Sequence, residues 1–197
     1  GGVPGGEDGL SAAMGAETRR RLELVPVGGV SMEVVSAVRR AVDARFGTRS
    51  RVDAPLPLYP EWVDEATGRA LSGPVLDALA ARAAALAGED GEPWVLGVAG
   101  AELAAPGHPL VFGEALVSGC CAVVGMGAPD EASQRNQTTL LERAAKHAVH
   151  EIGHVAGLEH CADPGCVMYP SRDIADTDRK GVELCRRCRA RLFSAKA

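Results

Sequence analysis

The stretch HEIGHVAGLEH, at residues 150–160, decides how the rest of this chain is interpreted. His150 and His154 are four residues apart, so on an α-helix their imidazoles project from the same face. His160 follows after a turn and supplies a third imidazole from another direction. Three imidazoles hold a tetrahedral Zn²⁺ with its fourth position open for water, which is typical of catalytic rather than structural zinc sites. The pattern therefore predicts a zinc hydrolase in which Glu151, next to the first ligand, acts as general base.

The residues around the histidines favour a helix that ends inside the motif. Thr139 and Glu142 could form a capping box, and Asn136 is another candidate N-cap. Gly157 can take the left-handed conformation that ends a helix. A solvent-exposed helix with a glycine cap is the alternative interpretation, but it leaves His160 without a role. The helix carries an apolar stripe opposite the histidines, formed by Leu141, Ala145, Ala148, Val149, Ile152, Val155 and Ala156.

Four cysteines follow the motif in two pairs. Cys161 and Cys166 flank the turn sequence ADPG, and Cys185 and Cys188 form a CxxC pair. Two such pairs are typical of a closed four-cysteine zinc site, which cannot activate water and stabilises the fold instead. Two disulfides are the alternative. We favour zinc because the first 21 residues contain no apolar segment of the kind found in secretory signals, and we therefore expect a reducing, cytoplasmic location.

The order of these residues points to a known family. The full run is H-E-x-x-H-x-x-G-x-x-H-Cys161, four residues, Cys166, one residue, Met168, sixteen residues, and Cys185-x-x-Cys188. Over residues 139–192 this combination resembles the archaemetzincins, the branch of the metzincin zinc peptidases that carries an added four-cysteine site. The resemblance implies that Met168 lies in a methionine turn and supports the metal site from below. It also implies an antiparallel edge strand above the cleft, at residues 110–117, where an extended peptide could pair with the backbone.

Composition narrows the class of protein and the kinds of partner. The chain has 197 residues, a net charge of −5 and no run of 18 apolar residues, so we expect neither a membrane span nor binding to nucleic acid. A small nucleic-acid-binding zinc module is the alternative use of the arginines that surround the CxxC pair, but such a run is usually a solvated face. We expect a disordered N-terminus at residues 1–18, a lobe with the sheet and the active-site helix at 19–157, and a small lobe with the four-cysteine zinc site at 158–197.

A coarse secondary-structure prediction gives strands and helices in alternation. It places strands at 22–28, 51–58, 94–98, 110–117 and 120–126, and helices at 31–46, 72–87 and 176–193 in addition to the active-site helix. Cys120 and Cys121 fall on a predicted strand, so their side chains should face opposite sides and pack in the core. The pattern predicts an α/β (α+β) fold in which a mixed, twisted sheet packs on helices and a C-terminal helical subdomain carries the four-cysteine site.

We therefore expect a zinc metallopeptidase that hydrolyses peptide bonds with a zinc-bound water and Glu151 as general base. Two Zn²⁺ are expected per chain, one catalytic and one structural. The expected partner is a peptide or protein substrate, and the chain is expected to be a monomer. The alternative is a catalytically weak or inactive peptidase-like fold that serves as a peptide-binding or zinc-structured interaction module. The presence of Glu151 argues against that alternative, whereas nothing in the sequence separates endopeptidase from aminopeptidase action.

Overall fold

The central strands are apolar along nearly their whole length, which is typical of strands covered on both faces. The computed structural model describes residues 20–89, 91–126 and 137–194, so the predictions for residues 1–18 and for Asn136 lie outside the described residues. In chain order the strands are β1 (Arg21–Val27), β2 (Arg49–Val52), β3 (Ala70–Leu71), β4 (Trp94–Ala99), β5 (Leu103–Ala105), β6 (His108–Val111), β7 (Gly113–Ala115) and β8 (Cys121–Gly125).

The described helices are longest where they flank the main sheet. They are α1 (Met32–Phe46), α2 (Ser72–Ala85), α3 (Gln137–Val155), α4 (Ile174–Arg179) and α5 (Arg186–Ser194), with a 3₁₀ turn at Pro60–Trp62. Helix α1 begins at the N-cap Ser31, whose side chain accepts a hydrogen bond from the N–H of Val34, and ends at Gly47, which has a φ of 63°. Both ends follow the signals in the sequence, because Ser is a favoured N-cap and Gly adopts positive φ without strain.

Two sheets are present among the described residues. The main sheet has the order β2-β1-β4-β8-β7, in which β7 alone is antiparallel to its neighbour, and the small sheet has the order β3-β5-β6. Strand β7 lies at the edge of the main sheet, as the predicted antiparallel edge strand should. The mixed α/β fold predicted from the sequence is thereby confirmed.

The core lies on both faces of the main sheet because side chains alternate along each strand. Leu22 and Leu24 of β1 and Leu96 of β4 pack on one face against α1 and α3. Val25 and Val95, from the same two strands, pack on the other face against α2. Helix α3 is therefore held against the sheet along its apolar stripe, and its opposite side is available for the histidines.

Some predicted strands are shorter or broken in the structure. The strand predicted at 51–58 is β2, which ends at Val52, and Leu56 makes only an isolated bridge to Val27. The strand predicted at 110–117 is divided at Phe112, because the residues before it pair with β5 in the small sheet and those after it pair with β8. Alternation of apolar residues cannot show that a chain passes from one sheet to another.

Two predictions about helix ends are wrong. Thr139 lies inside α3, which already includes Gln137, so Thr139 and Glu142 do not form a capping box at its start. The single helix predicted at 176–193 is two helices, α4 and α5, with a break between Lys180 and Cys185. The break has a clear cause, since Gly181 donates a backbone hydrogen bond to Gly165 and Glu183 accepts one from Val167. These residues pair with the preceding turn and cannot continue a helix.

The prediction for the adjacent cysteines is also wrong in one respect. Cys121 begins β8 and is fully buried, but Cys120 precedes the strand, in the turn after Ser118, which has a φ of 55°. Because Cys120 lies outside the strand, its side chain is not restricted to the face opposite Cys121. It packs against the same apolar cluster, between the sheet and α2, that contains Cys121. The expected place in the core is confirmed for Cys121, whereas Cys120 is only partly buried and the two side chains do not lie on opposite faces.

None of the described helices is both long enough and apolar enough to span a lipid bilayer.

We predict that Asp43→Ala lowers the free energy of unfolding by about 1–3 kcal/mol. The Asp43 carboxylate accepts hydrogen bonds from Thr48 Oγ1 and Ser50 Oγ, both at 2.7 Å, and so fixes the turn from α1 into β2. Urea denaturation followed by circular dichroism measures the change. Glu65→Ala removes an exposed carboxylate that makes no such contacts with the residues that the structure describes, and it should change stability by less than about 0.5 kcal/mol. Equal stabilities of the two variants would contradict the prediction.

Candidate metal centre and active site

Three imidazoles converge at the C-terminal end of α3. His150 and His154 lie one turn apart on the helix, and Gly157, with a φ of 86°, ends it and turns the chain towards His160. The ring centroids of His154 and His160 are 4.9 Å apart, and those of His150 and His160 are 5.3 Å apart. One ligand atom from each ring lies within 4.8 Å of the other two. The structure thus brings the three predicted ligands together.

Backbone carbonyls set the tautomer of the first two imidazoles. His150 Nδ1 is 2.8 Å from the carbonyl oxygen of Val167, and His154 Nδ1 is 2.8 Å from that of Leu158. A carbonyl oxygen only accepts hydrogen bonds, so both Nδ1 atoms carry the proton and both Nε2 atoms carry a bare lone pair. The two Nε2 atoms are 3.1 Å apart, which is too close for two facing lone pairs without a cation between them. The chemistry of the donors fits a metal ion.

The pKa values of the three histidines are lowered, which keeps the rings in the neutral form that binds metal ions. Burial, followed by the charge of Lys180, lowers the pKa of His150 well below its usual value. Burial is also the main cause that lowers the pKa of His154 and of His160. All three rings are therefore neutral at neutral pH, and metal binding does not have to displace protons from them.

Glu151 lies buried between α3 and the edge strand β7, with only 7% of its surface exposed. Its carboxylate approaches the backbone of Gly113 so closely that a methyl group there would lie 2.7 Å from Oε1. Burial raises the pKa of Glu151 to about 8, while Lys180 lowers it and Glu114 raises it further. A divalent cation at the histidines would act in the opposite direction and favour the carboxylate.

A turn centred on Met168 forms the floor beneath the histidines. Met168 is fully buried, and its sulfur packs against Gly153, where any side chain would collide with it. The carbonyl of Met168 accepts a 2.9 Å hydrogen bond from the N–H of Cys161. Lys180, only 2% exposed, donates to the carbonyl oxygen of Tyr169 at 2.8 Å and so ties the end of α4 to the same turn.

The four cysteines form a second cluster directly beside the first. One sulfur from each of Cys161, Cys166, Cys185 and Cys188 lies within 4.8 Å of the others. Cys161 Sγ and Cys185 Sγ are 3.8 Å apart, close to the separation of about 3.8 Å that follows from Zn–S bonds of about 2.3 Å in a tetrahedron. A disulfide would need a separation of about 2.05 Å. The arrangement fits a metal ion and not two disulfides.

The thiols of this cluster are in unequal environments. Burial raises the pKa of Cys161, but hydrogen bonds from the backbone of Asp163 and the guanidinium of Arg187 outweigh it and lower the pKa to about 7. Arg187 donates to Cys161 Sγ at 3.5 Å. Burial raises the pKa of Cys166 and of Cys188. Cys161 is therefore the thiol most ready to act as a thiolate ligand.

Sequence reasoning found the converging side chains but missed the residues that let them converge. The glycines Gly113 and Gly153 provide the close approaches, and Lys180 reaches the methionine turn. A signal existed for Gly153, because glycine inside a helix costs about 1 kcal/mol relative to alanine and usually has a packing reason. No comparable signal marks Lys180, which lies in the charged run DTDRK.

The imidazole lone pairs converge on one point, beside the buried carboxylate of Glu151 and below the edge strand β7. This arrangement suits the hydrolysis of an extended peptide chain with the help of a metal ion. The fold and the site together are those of the zinc metallopeptidases of the metzincin class. A comparison with known families agrees, because the profile of peptidase family M54 matches residues 94–194.

Individual relatives extend the match to nearly the whole chain. The archaemetzincin of Pyrococcus furiosus is 31% identical over 186 residues, which cover 88% of this chain and 93% of that protein. The archaemetzincin of Archaeoglobus fulgidus is 43% identical over 97 residues, so that this alignment spans 49% of the chain and 58% of the relative's own length. The crystal structure of the archaemetzincin of Methanopyrus kandleri superposes with a TM-score of 0.76 at 30% identity and covers 93% of this chain and 98% of that one.

The chain belongs to peptidase family M54, the archaemetzincin family of zinc metallopeptidases.

We predict that Gly113→Ala slows peptide hydrolysis while zinc binding is retained. The added methyl group would displace the carboxylate of Glu151, and a shift of about 1 Å at a reacting group can cost on the order of 100-fold in rate. Gly73→Ala is the matched control, because the space around Gly73 is open. Steady-state kinetics on an unstructured peptide and zinc analysis measure the two quantities. A normal rate for Gly113→Ala would show that Glu151 tolerates displacement.

Proposed function

We propose that this chain is a zinc-dependent peptidase whose catalytic metal is held by His150, His154 and His160. The observation that carries the proposal is the 3.1 Å separation of two Nε2 atoms whose opposite ring nitrogens both face carbonyl oxygens. Protonation of one Nε2 would also relieve the repulsion between these lone pairs, but burial lowers the pKa of both rings and so disfavours the charged imidazolium. A bound cation relieves it directly. When bound there, Zn²⁺ lowers the pKa of water and polarises a carbonyl oxygen.

Glu151 is the group we assign to proton transfer. It lies on the same helix as the first two histidines, one residue after His150, and its carboxylate is shielded from solvent. As general base it accepts a proton from the attacking water, and as general acid it returns that proton to the leaving amine. Burial serves this role, because a desolvated carboxylate is a stronger base than one in water.

The edge strand β7 is the surface we assign to substrate binding. Its pairing with β8 uses one edge, and it has no strand on its other edge among the described residues. Ser118, just beyond β7, donates a backbone hydrogen bond to the carbonyl of His154, so the strand is fixed directly above the histidines. An extended peptide paired with β7 would pass its backbone across the metal site. This argument supports a peptide or protein substrate.

The second metal site in our proposal is a structural zinc at Cys161, Cys166, Cys185 and Cys188. Four thiolates leave no open position, so the ion contributes to folding and not to catalysis. Such a set requires reduced cysteines, which supports a cytoplasmic location. The alternative function, a peptide-binding or zinc-structured module without catalysis, gives no reason for a buried Glu151 beside three neutral imidazoles, and we do not favour it.

We predict that Glu151→Gln lowers kcat for peptide hydrolysis by about 10²–10⁴-fold. The amide keeps the size of the side chain but cannot accept a proton, so the zinc content should not change. Glu142→Gln, an exposed position on the same helix, should retain the rate of the unmodified protein. If the Glu151→Gln variant binds zinc and still cleaves at the original rate, the assigned base is wrong. Absence of cleavage by the unmodified, zinc-loaded protein would favour the binding-module alternative.

We predict that the protein binds two Zn²⁺ per chain and that Cys185→Ser binds one. A serine hydroxyl is a poor substitute for a thiolate, so the four-cysteine site should lose its ion and the thermal midpoint should fall. Cys120→Ser removes a thiol outside the cluster and should leave both ions bound. Metal analysis after dialysis and thermal denaturation provide the measurements. A content of one zinc in the unmodified protein would refute the structural site.

A further inference from the structure

Lys180 is a buried cation that the mechanism above does not use. Only 2% of its surface is exposed, although lysine is almost never fully buried unless an opposite charge pairs with it. Its ammonium forms no salt bridge with any carboxylate that the structure describes, and it donates instead to the carbonyl oxygen of Tyr169 at 2.8 Å. Because the burial of a charge without such a partner is costly, the ammonium indicates a role beyond packing.

The ammonium lies behind one of the proposed metal ligands. Nζ of Lys180 is 3.4 Å from Nδ1 of His150, the ring nitrogen opposite the one that faces the metal position. Nδ1 donates its proton to the carbonyl of Val167 at 2.8 Å, so the ammonium and the ring touch without a hydrogen bond between them. A carboxylate behind a metal-bound imidazole raises the basicity of the ring, and a cation at the same edge acts in the opposite direction.

The backbone around Lys180 is fixed against the four-cysteine cluster. Gly181, the next residue, donates a backbone hydrogen bond of 3.1 Å to the carbonyl of Gly165, which directly precedes Cys166. Lys180 therefore follows α4 into the segment that carries the CxxC pair, while its side chain points back towards the methionine turn and His150. The ammonium thus lies between the cysteine cluster and the histidine site.

Charged groups on both sides of Lys180 act on its ammonium. Burial lowers the pKa of Lys180 to about 8, which leaves the side chain charged at neutral pH. Among the neighbouring charges Glu151, on the histidine side, favours the ammonium most, and Lys146 opposes it. Cys166, on the cysteine side, and Asp176 favour the ammonium as well. Thiolates at the cysteines would strengthen that support.

The two proposed metal sites differ in net charge. Four thiolates carry four negative charges and a divalent ion two positive ones, so the filled cysteine cluster has a net charge of about −2. Arg187 offsets part of this charge from the exposed side of the cluster. On the buried side, an uncompensated negative charge would act through a medium of low dielectric and partly neutralise an ion at the histidines.

We propose that Lys180 shields the histidine site from the negative four-cysteine cluster, so that a metal ion at the histidines stays electrophilic but is held less tightly. The inference rests on the proposed function with its two zinc sites. Lys180 touches no substrate and is a positioning residue that acts through His150. If Lys180 only tied α4 to the methionine turn, its removal would loosen the carbonyl that holds His150 and weaken metal binding. Shielding gives the opposite sign.

Lys180→Met tests the sign, because methionine keeps a long, unbranched side chain and removes the charge. Chelator buffers set the concentration of free Zn²⁺ over protein whose four-cysteine site stays filled, and metal analysis gives the affinity of the histidine site. The variant should bind Zn²⁺ there about tenfold more tightly or better than the unmodified protein. Its kcat for an unstructured peptide should fall by about 10–100-fold, because the ion polarises the substrate less.

Lys146→Met is the matched control. Lys146 also ties α3 to the end of α4, since its Nζ donates to the carbonyls of Thr177 and Asp178 at 3.0 and 3.2 Å. Loss of this tether should change neither the zinc affinity nor kcat by more than about threefold. Lys180→Gln serves as a second neutral variant if Lys180→Met does not fold, because its amide can still donate a hydrogen bond towards the Tyr169 carbonyl. It should tighten zinc binding in the same way.

The affinity measurement does not depend on cleavage, so it separates this inference from the proposed function. Unchanged or weaker zinc binding at the histidines of a folded neutral variant would refute the shielding role, even if the unmodified protein cleaves peptides as proposed. Tighter binding by the neutral variants of a protein that cleaves no peptide would support the shielding role and count against the peptidase function. An equal gain in affinity for Lys146→Met would also refute the role assigned to Lys180.

Discussion

The orientation of two imidazole lone pairs is the constraint on which the site depends. Nε2 of His150 and Nε2 of His154 point at each other only because the carbonyls of Val167 and Leu158 hold the opposite nitrogens. The carbonyl of Leu158 is in place because the chain leaves the helix at Gly157, in a left-handed conformation. The carbonyl of Val167 is in place because its own N–H pairs with Glu183. The end of α3 and the C-terminal segment thus both position the carbonyl groups that accept hydrogen bonds from His150 and His154.

Close backbone approach is the second requirement, and two glycines meet it. Gly113 lets the edge strand lie directly on Glu151, and Gly153 lets Met168 lie directly under the helix. Without these approaches the carboxylate would lie in water and lose the effect of burial on its basicity. The geometry of the site therefore depends on the absence of a side chain at both glycines as well as on the side chains that carry the chemistry.

The sequence predicted the parts of this structure that depend on local pattern. The three histidines, the four cysteines and the helices at 32–46 and 72–85 follow from spacing, capping and periodicity, which act over a few residues. The boundaries that failed depend on distant pairing. The split at Phe112 reflects two different sheets, and the break after Lys180 reflects pairing with the turn at Gly165–Val167.

The sequence also did not predict which polar side chains are buried, or which residues they contact. Lys180 is one of several charged residues in its run, and only the fold shows that it, unlike Arg179, is enclosed. His147 precedes His150 by three residues and so lies on the same side of α3, but its stacking on Phe112 depends on a residue 35 positions earlier, between β6 and β7. Burial and long-range contact are properties of the folded chain, so residue type and spacing do not reveal them.

In the function that we propose, the two clusters would divide their roles through the charge of their donors. Three neutral imidazoles would leave the charge of a bound divalent ion uncompensated, so that charge would remain available to act on substrate. Four thiolates exceed that charge, and the guanidinium of Arg187 on Cys161 Sγ offsets part of the excess. Because Cys161 follows His160 and is hydrogen-bonded to the carbonyl of Met168, the compensated cluster is attached directly to the floor of the uncompensated one. A rigid site of low reactivity can thereby hold a reactive one in shape.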